Sequence, residues 1–111
     1  KFLHESGTYG ELETGTTTLS FAAHALGESH FPGGHVRADQ SLQPLGFEIA
    51  LITDDVLAAH RRALKAGATE LAVPEVKPWG QTVSYVRCPD GVLVELCTEI
   101  TAQPRTHCLP V

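Results

Sequence analysis

The chain has 111 residues, of which 42% are hydrophobic and 19% are charged, a composition typical of one small globular protein with a modest core. Its net charge of −5 argues against nucleic acid or anionic lipid as a partner, because both select a basic surface. No apolar run approaches the roughly 20 residues of a membrane span, and no segment resembles a secretory leader. The cysteines form neither a CxxC pair nor an even-numbered framework, so we expect reduced thiols in a cytoplasmic protein: Cys88, Cys97 and Cys108.

The N-terminal part of the chain, residues 1–24, is predicted to be the C-terminal hairpin of a sheet-forming unit. Residues 8–24, "TYGELETGTTTLSFAAH", are typical of a hairpin whose two strands flank Thr14 and Gly15. Residues 25–45 contain proline, adjacent glycines and no periodicity, and we expect a connecting loop. His30 and His35 in this loop lack the spacing of metal ligands, so we favour a solvated loop over a metal site. Because the chain starts inside structured-looking sequence without a methionine, we expect a further segment upstream.

Residues 46–98 predict the order strand, helix, strand, strand, strand. The first strand covers 46–53, and the helix covers about 56–66, with Asp54 or Asp55 as its N-cap and Gly67 just beyond its end. Pro74 makes the strand at 69–76 an edge or bulged strand. The loop "KPWG" and the turn "CPDG" separate the last three strands, and 99–111 form a loosely packed or extended tail. With residues 8–24 as the end of a similar unit, the pattern indicates a duplicated βαβββ unit.

Alternation along the strands predicts one apolar and one mixed face for each of three strands. We expect the large apolar set, for example Phe47, Ile49 and Leu51, to pack on the helix. The mixed faces then line a concave and partly polar side of the sheet: Glu48, Ala50 and Ile52; Leu93, Glu95 and Cys97; Ser20, Ala22 and His24.

Two acids, Glu48 and Glu95, interrupt otherwise apolar strands. In one cavity they do not both ionise cheaply, so a divalent cation neutralises them, a basic side chain pairs with one, or one carboxyl keeps its proton. The first case is a metal site and the last is a general acid or base. The alternative is that each acid lies at a wet rim without a role. We favour a functional role, because two acids recur within otherwise apolar strands.

Two stretches of the sequence are "GFEIALITDDVLAAHRRALKAGA" and "KPWGQTVSYVRCPDGVLVELCT". Together with their spacing they resemble the second module of the vicinal oxygen chelate superfamily, which includes glyoxalase I, extradiol dioxygenases, fosfomycin resistance proteins and bleomycin-binding proteins. The resemblance is strong over residues 46–98 and weak over 8–24. It implies an α+β fold of paired βαβββ modules that form curved half-barrels around a central cavity, with the first module incomplete in this chain. It also implies a homodimer.

Members of that superfamily commonly bind a divalent metal through the first and fourth strands of each module. By position, Glu95 matches the acidic ligand of the last strand, and Glu48 lies where many members have histidine. Ser20 occupies the fourth-strand position of the first module, where the metal enzymes have an acid or histidine, and His24 is a possible substitute farther along. A Ni, Zn, Mn or Fe ion is therefore possible, but serine in place of an acid is what the metal-free, ligand-sequestering branch would show. Both alternatives stay open.

Trp79, Gln81 and Tyr85 are further candidates for ligand binding. "KPWG" lies beside the cavity mouth in the family pattern, so Trp79 either covers a ligand or packs as a loop residue. If the following turn has three loop residues, Tyr85 comes opposite Glu95 and its phenol is within reach of that carboxylate. Arg87 either pairs with a cavity acid or faces solvent.

The resemblance and these residues together imply two alternative functions. In the first, Glu48 and Glu95 are catalytic residues of a metal-dependent lyase, isomerase or dioxygenase. In the second, a metal-free protein sequesters a hydrophobic or cationic ligand such as an antibiotic. A purely structural dimer module gives no reason for acids on the inner strands. We lean towards a small-molecule-binding member of the superfamily.

Overall fold

The computed structural model describes residues 1–100, and the chain divides into two compact units, Lys1–Arg37 and Ala38–Val111. Most of the predicted tail, including Cys108, lies outside the described residues. In the described part, no helix is both long and apolar enough to cross a membrane.

The first unit contains a three-stranded antiparallel sheet in the order β1-β2-β3, with strands Phe2–Leu3, Tyr9–Glu13 and Thr18–Ala22. The pairs Leu12 with Leu19 and Glu11 with Ser20 establish the predicted hairpin, whereas the short β1 was not predicted. A five-residue helix, α1 (His24–Glu28), follows β3 in the stretch predicted as loop.

The second unit has the predicted order of strand, helix and three strands. Its sheet runs β4-β7-β6-β5, with β4 parallel to β7 and the other neighbours antiparallel. The elements are β4 (Ile49–Ile52), α2 (Val56–Lys65), β5 (Thr69–Val76), β6 (Thr82–Arg87) and β7 (Leu93–Cys97). The α+β class and the βαβββ order are therefore confirmed. The strand that contains Pro74 is an edge strand with register shifts, as the missing backbone donor of proline requires.

Helix α2 begins and ends where its sequence predicts. The Asp55 carboxylate accepts a hydrogen bond from the Ala58 backbone N–H at 3.0 Å, and Gly67 follows the helix at a φ of 109°. Val56 at the start of this helix is buried against the sheet, whereas the next residue, Leu57, is 47% exposed. The core beside Val56 comes from two adjacent strands: Val86, Val94 and Leu96.

Strand β4 is shorter than predicted. Its pairing with β7 begins at Ile49 opposite Val94, so the preceding residues have no ladder partner and lie outside the strand. Phe47 was expected on the helix face but is 61% exposed. Glu48 was expected within the strand but lies just before it and is exposed.

A buried polar network joins α2 to β5 and β6. His60 is 2% exposed, with its Nδ1 2.9 Å from the Ser84 hydroxyl and its Nε2 2.7 Å from the Glu70 carboxylate. The Glu70 carboxylate accepts from Nε2, and in the neutral imidazole this leaves Nδ1 to accept from the Ser84 hydroxyl. Both nitrogens of a buried imidazole are thus satisfied, which gives this histidine a structural role.

We expect Ser84→Ala to lower the free energy of unfolding by about 1–3 kcal/mol, because it leaves the buried Nδ1 of His60 without a hydrogen-bond partner. Urea unfolding measures this change. The matched control is Ser20→Ala, on an exposed position of β3, which should change the free energy by less than about 0.5 kcal/mol. Equal effects of the two substitutions would contradict the network.

The side chain of Arg87 holds the segment at 38–42 against the β6–β7 turn. Its guanidinium donates to backbone carbonyls of Gly91, Ala38, Ser41 and Leu42 at 2.8–3.2 Å. Neither predicted alternative was therefore correct, because the group pairs with backbone oxygens instead of an acid or solvent.

Candidate functional site

The candidate site is a pocket of about 260 Å³ on the second unit. It lies on the face of the sheet opposite the core, where the parallel neighbours Ala50 and Glu95, and Ile52 and Cys97, stand side by side. Gln81 lies immediately before β6, and two residues after β7 complete the wall: Thr98 and Ile100. Alternation in β4 and β7 places these strand residues on one face, while the core residues Val94 and Leu96 occupy the other.

Glu95 is the acidic group of this pocket and is partly buried. Desolvation raises the pKa of its carboxyl above the ordinary value, and the negative charge of Glu48 raises this pKa further. Glu48 does not line the pocket, but its charge reaches it from the exposed segment before β4. The two predicted acids are thus near enough to repel each other, with Glu95 inside the pocket and Glu48 outside it.

Two further ionisable groups respond to these acids. Burial, Glu95, Glu48 and Cys97, in that order, raise the pKa of the Tyr85 phenol. Burial, Glu95 and then Glu48 raise the pKa of the Cys97 thiol, so the thiol keeps its proton at neutral pH. The pocket is therefore a negatively biased environment that favours positive charge or protonated groups.

The predicted register between β6 and β7 is present. Tyr85 is the partner of Glu95, and the Cys88 N–H donates to the Val92 carbonyl at 2.9 Å across the three-residue turn. Among the hydrogen bonds of residues 1–100, however, none joins the Tyr85 phenol to Glu95. The phenol is an electrostatic neighbour of the carboxylate.

Trp79 and Gln81 connect the loop after β5 to the pocket wall. The Trp79 indole N–H donates to the Gln81 side-chain oxygen at 2.8 Å, and the Gln81 amide donates to the Thr98 carbonyl at 2.8 Å. Trp79 itself is 52% exposed. Gln81 therefore both lines the pocket and fixes the position of the indole.

The other two candidate residues belong to the first unit. Ser20 is exposed on β3. His24 does not extend that strand as expected, because the chain turns into α1 at this residue, and its ring lies against His35. A larger groove of about 410 Å³ lies on the first unit, but neither residue lines it, and most of its lining is apolar.

The residues around the pocket supply an incomplete donor set for a metal. Within residues 1–100, no group of three or more His, Cys, Asp or Glu side chains is arranged to hold an ion. Glu48 and Glu95 offer two carboxylates, which do not by themselves make a closed site.

Alternation along the strands had placed Ala50, Ile52 and Cys97 on the face that lines the pocket, but sequence reasoning missed Thr98 and Ile100. Thr98 contributes through its backbone carbonyl beyond the end of β7, a position that no periodic pattern identifies.

A family model described as "Glyoxalase/Bleomycin resistance protein/Dioxygenase superfamily" matches residues 3–96. No curated protein matches the sequence.

Solved structures share the fold. A glyoxalase-related enzyme from Fulvimarina pelagi aligns with a TM-score of 0.67 and 20% identity over 84% of this chain, which spans 66% of that protein. A bleomycin resistance determinant encoded on the transposon Tn5 gives a TM-score of 0.53 and 26% identity, covering 85% of this chain and 73% of that one. A superfamily member from Sphaerobacter thermophilus DSM 20745 aligns with a TM-score of 0.54 and 27% identity, and the match covers 75% of this chain and 58% of that protein.

Proposed function

This chain belongs to the glyoxalase/bleomycin resistance protein/dioxygenase superfamily, and on that premise we propose that it binds a small cationic molecule in the pocket around Glu95. The observation that carries the proposal is the state of Glu95, whose carboxyl is partly buried and has a raised pKa through desolvation and the charge of Glu48. A bound cation relieves both effects, because it replaces lost hydration and neutralises the repulsion.

The remaining pocket surface fits an apolar body attached to that charge. Ala50, Ile52 and Ile100 supply aliphatic walls, and Gln81 supplies an amide group at the rim. The indole of Trp79, fixed by Gln81, is a flat surface on which an aromatic or cationic ligand can stack. This combination favours an amine with an aromatic or aliphatic body.

A metal-dependent lyase, isomerase or dioxygenase is the second candidate, supported by the repulsion between Glu48 and Glu95. These two carboxylates would hold a Ni, Zn, Mn or Fe ion only with further donors, and the ion would then polarise substrate oxygens. The binding function needs no group beyond those described, so it is preferred.

We extend the proposal to a cytoplasmic homodimer. The free thiols of Cys88 and Cys97 support a cytoplasmic location. The homodimer is supported by the family resemblance, which implies dimers. Light scattering at several protein concentrations tests the dimer, which a constant monomer mass would contradict.

Trp79 is the single tryptophan of the sequence, so its fluorescence reports binding directly. We expect 2-phenylethylammonium to change this fluorescence saturably and to raise the unfolding temperature in the presence of a chelator. The near-isosteric neutral compound 2-phenylethanol should bind more weakly than the cation, and the anion 3-phenylpropionate should bind more weakly still. Equal binding of the cation and the alcohol would contradict the proposal, and binding only after metal addition would favour the second candidate.

A further inference from the structure

We propose that His24 and His35 form a two-imidazole binding site for Cu²⁺ or Ni²⁺ in the first unit. The two rings come from separate places, one at the start of α1 and the other in the loop that follows this helix. Nδ1 of His24 lies 2.9 Å from Nε2 of His35, and the ring centroids are 5.2 Å apart with an interplanar angle of 29°. Two imidazole nitrogens thus face each other directly.

The separation of these nitrogens fits a particular coordination angle. Metal–imidazole bonds are about 2.0–2.1 Å long, so two ligands at a right angle stand about 2.8–3.0 Å apart, and two tetrahedral ligands stand about 3.3–3.4 Å apart. The observed 2.9 Å equals the right-angle spacing, but it is at present a hydrogen-bond distance, and both rings must turn before their lone pairs converge on one ion. Right-angled nitrogen pairs are typical of tetragonal Cu²⁺ and square-planar or octahedral Ni²⁺, whereas tetrahedral Zn²⁺ needs the wider spacing.

The surroundings allow the rings to accept an ion. At present one nitrogen donates its hydrogen to the other, so binding replaces this shared hydrogen and turns both lone pairs towards the ion. His35 is exposed and His24 is partly exposed, which leaves both rings room to turn. The absence of a side chain at Gly27 also leaves space for the His35 ring, since a Cβ at this position would stand 3.4 Å from that ring.

Water would occupy the other coordination positions of the metal ion, since the described residues include no third His, Cys, Asp or Glu grouped with this pair. The bound metal is therefore open to exchange and to small ligands. Both histidines belong to the first unit and Glu95 to the second, so a test of this metal site does not depend on the function proposed for Glu95.

Titration of the whole chain with Cu²⁺, followed by electron paramagnetic resonance and calorimetry, tests the site. We expect one tight equivalent with hyperfine coupling to two imidazole nitrogens. His24→Asn and His35→Asn should each weaken this binding at least tenfold, whereas His30→Asn, an exposed histidine of the same loop, should leave it unchanged.

Wild-type affinity in both His24→Asn and His35→Asn, or an equal loss in His30→Asn, would overturn the site. Unfolding curves without metal establish that each variant is folded. If His24→Asn does not fold, the exposed His35 decides the question through His35→Asn.

Discussion

Gly91→Ala is expected to destabilise the protein by more than about 4 kcal/mol, which is a large part of the stability of a small protein. Gly91 has a φ of 91°, a left-handed conformation that costs a residue with a Cβ about 1–2 kcal/mol. An added Cβ would also overlap the backbone carbonyl of Ala38 and lie 2.5 Å from the Asp39 nitrogen. Because Arg87 anchors this segment against the turn, the overlap cannot be relieved by a small shift.

Gly80→Ala is the matched control for this substitution. Gly80 has a φ of 94°, and a Cβ there would meet no atom within 4 Å, so only the conformational cost of about 1–2 kcal/mol applies. Urea unfolding of the two variants and the wild type measures the difference. If Gly91→Ala is no more destabilising than Gly80→Ala, the close contact between the segment at 38–42 and the turn is wrong.

Glu95→Gln is expected to weaken the binding of 2-phenylethylammonium at least tenfold, a loss of about 1.4 kcal/mol, because the amide keeps the shape of the carboxyl group without its charge. Binding of 2-phenylethanol should be almost unchanged. Glu13→Gln, an exposed acid of the first unit, makes the same change in net charge and should preserve the cation affinity. Trp79 fluorescence in all three proteins measures these affinities, and equal losses in the two variants would refute a specific role for Glu95.

Glu95→Gln is expected to weaken cation binding but to raise the stability of the protein at neutral pH. The raised pKa of Glu95 means that the folded protein holds this proton more tightly than the unfolded chain does. Stability therefore falls as pH rises from the ordinary glutamate pKa of about 4.3 through the raised value. Glu95→Gln removes this loss, so its unfolding temperature should exceed that of the wild type at neutral pH and converge with it in acid. A gain in stability joined to a loss of binding is typical of a functional residue.

Local sequence signals were sufficient for most of the fold. Asp55 and Gly67 marked the ends of α2 through capping chemistry, and Pro74 marked an edge strand through its missing N–H. The turn at 88–91 fixed the register that places Tyr85 opposite Glu95, because a hairpin transmits its loop length to every pair beyond it.

Contacts between distant segments could not be predicted in this way. Arg87 donates to backbone oxygens more than 40 positions away in the chain, and backbone acceptors leave no signature in the sequence. His24 and His35 meet because α1 turns the chain back in a stretch without periodicity. Glu48 seemed to belong to β4 because the apolar alternation extends past the point where β7 offers a partner.

The most direct test concerns the electrostatic state of one carboxyl group in the second unit. Carbon-detected nuclear magnetic resonance can follow the titration of Glu95 in the wild type and in Glu48→Gln. The expected result is a midpoint above the ordinary glutamate value in the wild type that falls, without returning fully to that value, when the neighbouring charge is removed. An ordinary midpoint that does not respond to Glu48→Gln would contradict the negatively biased pocket and the cation binding inferred from it.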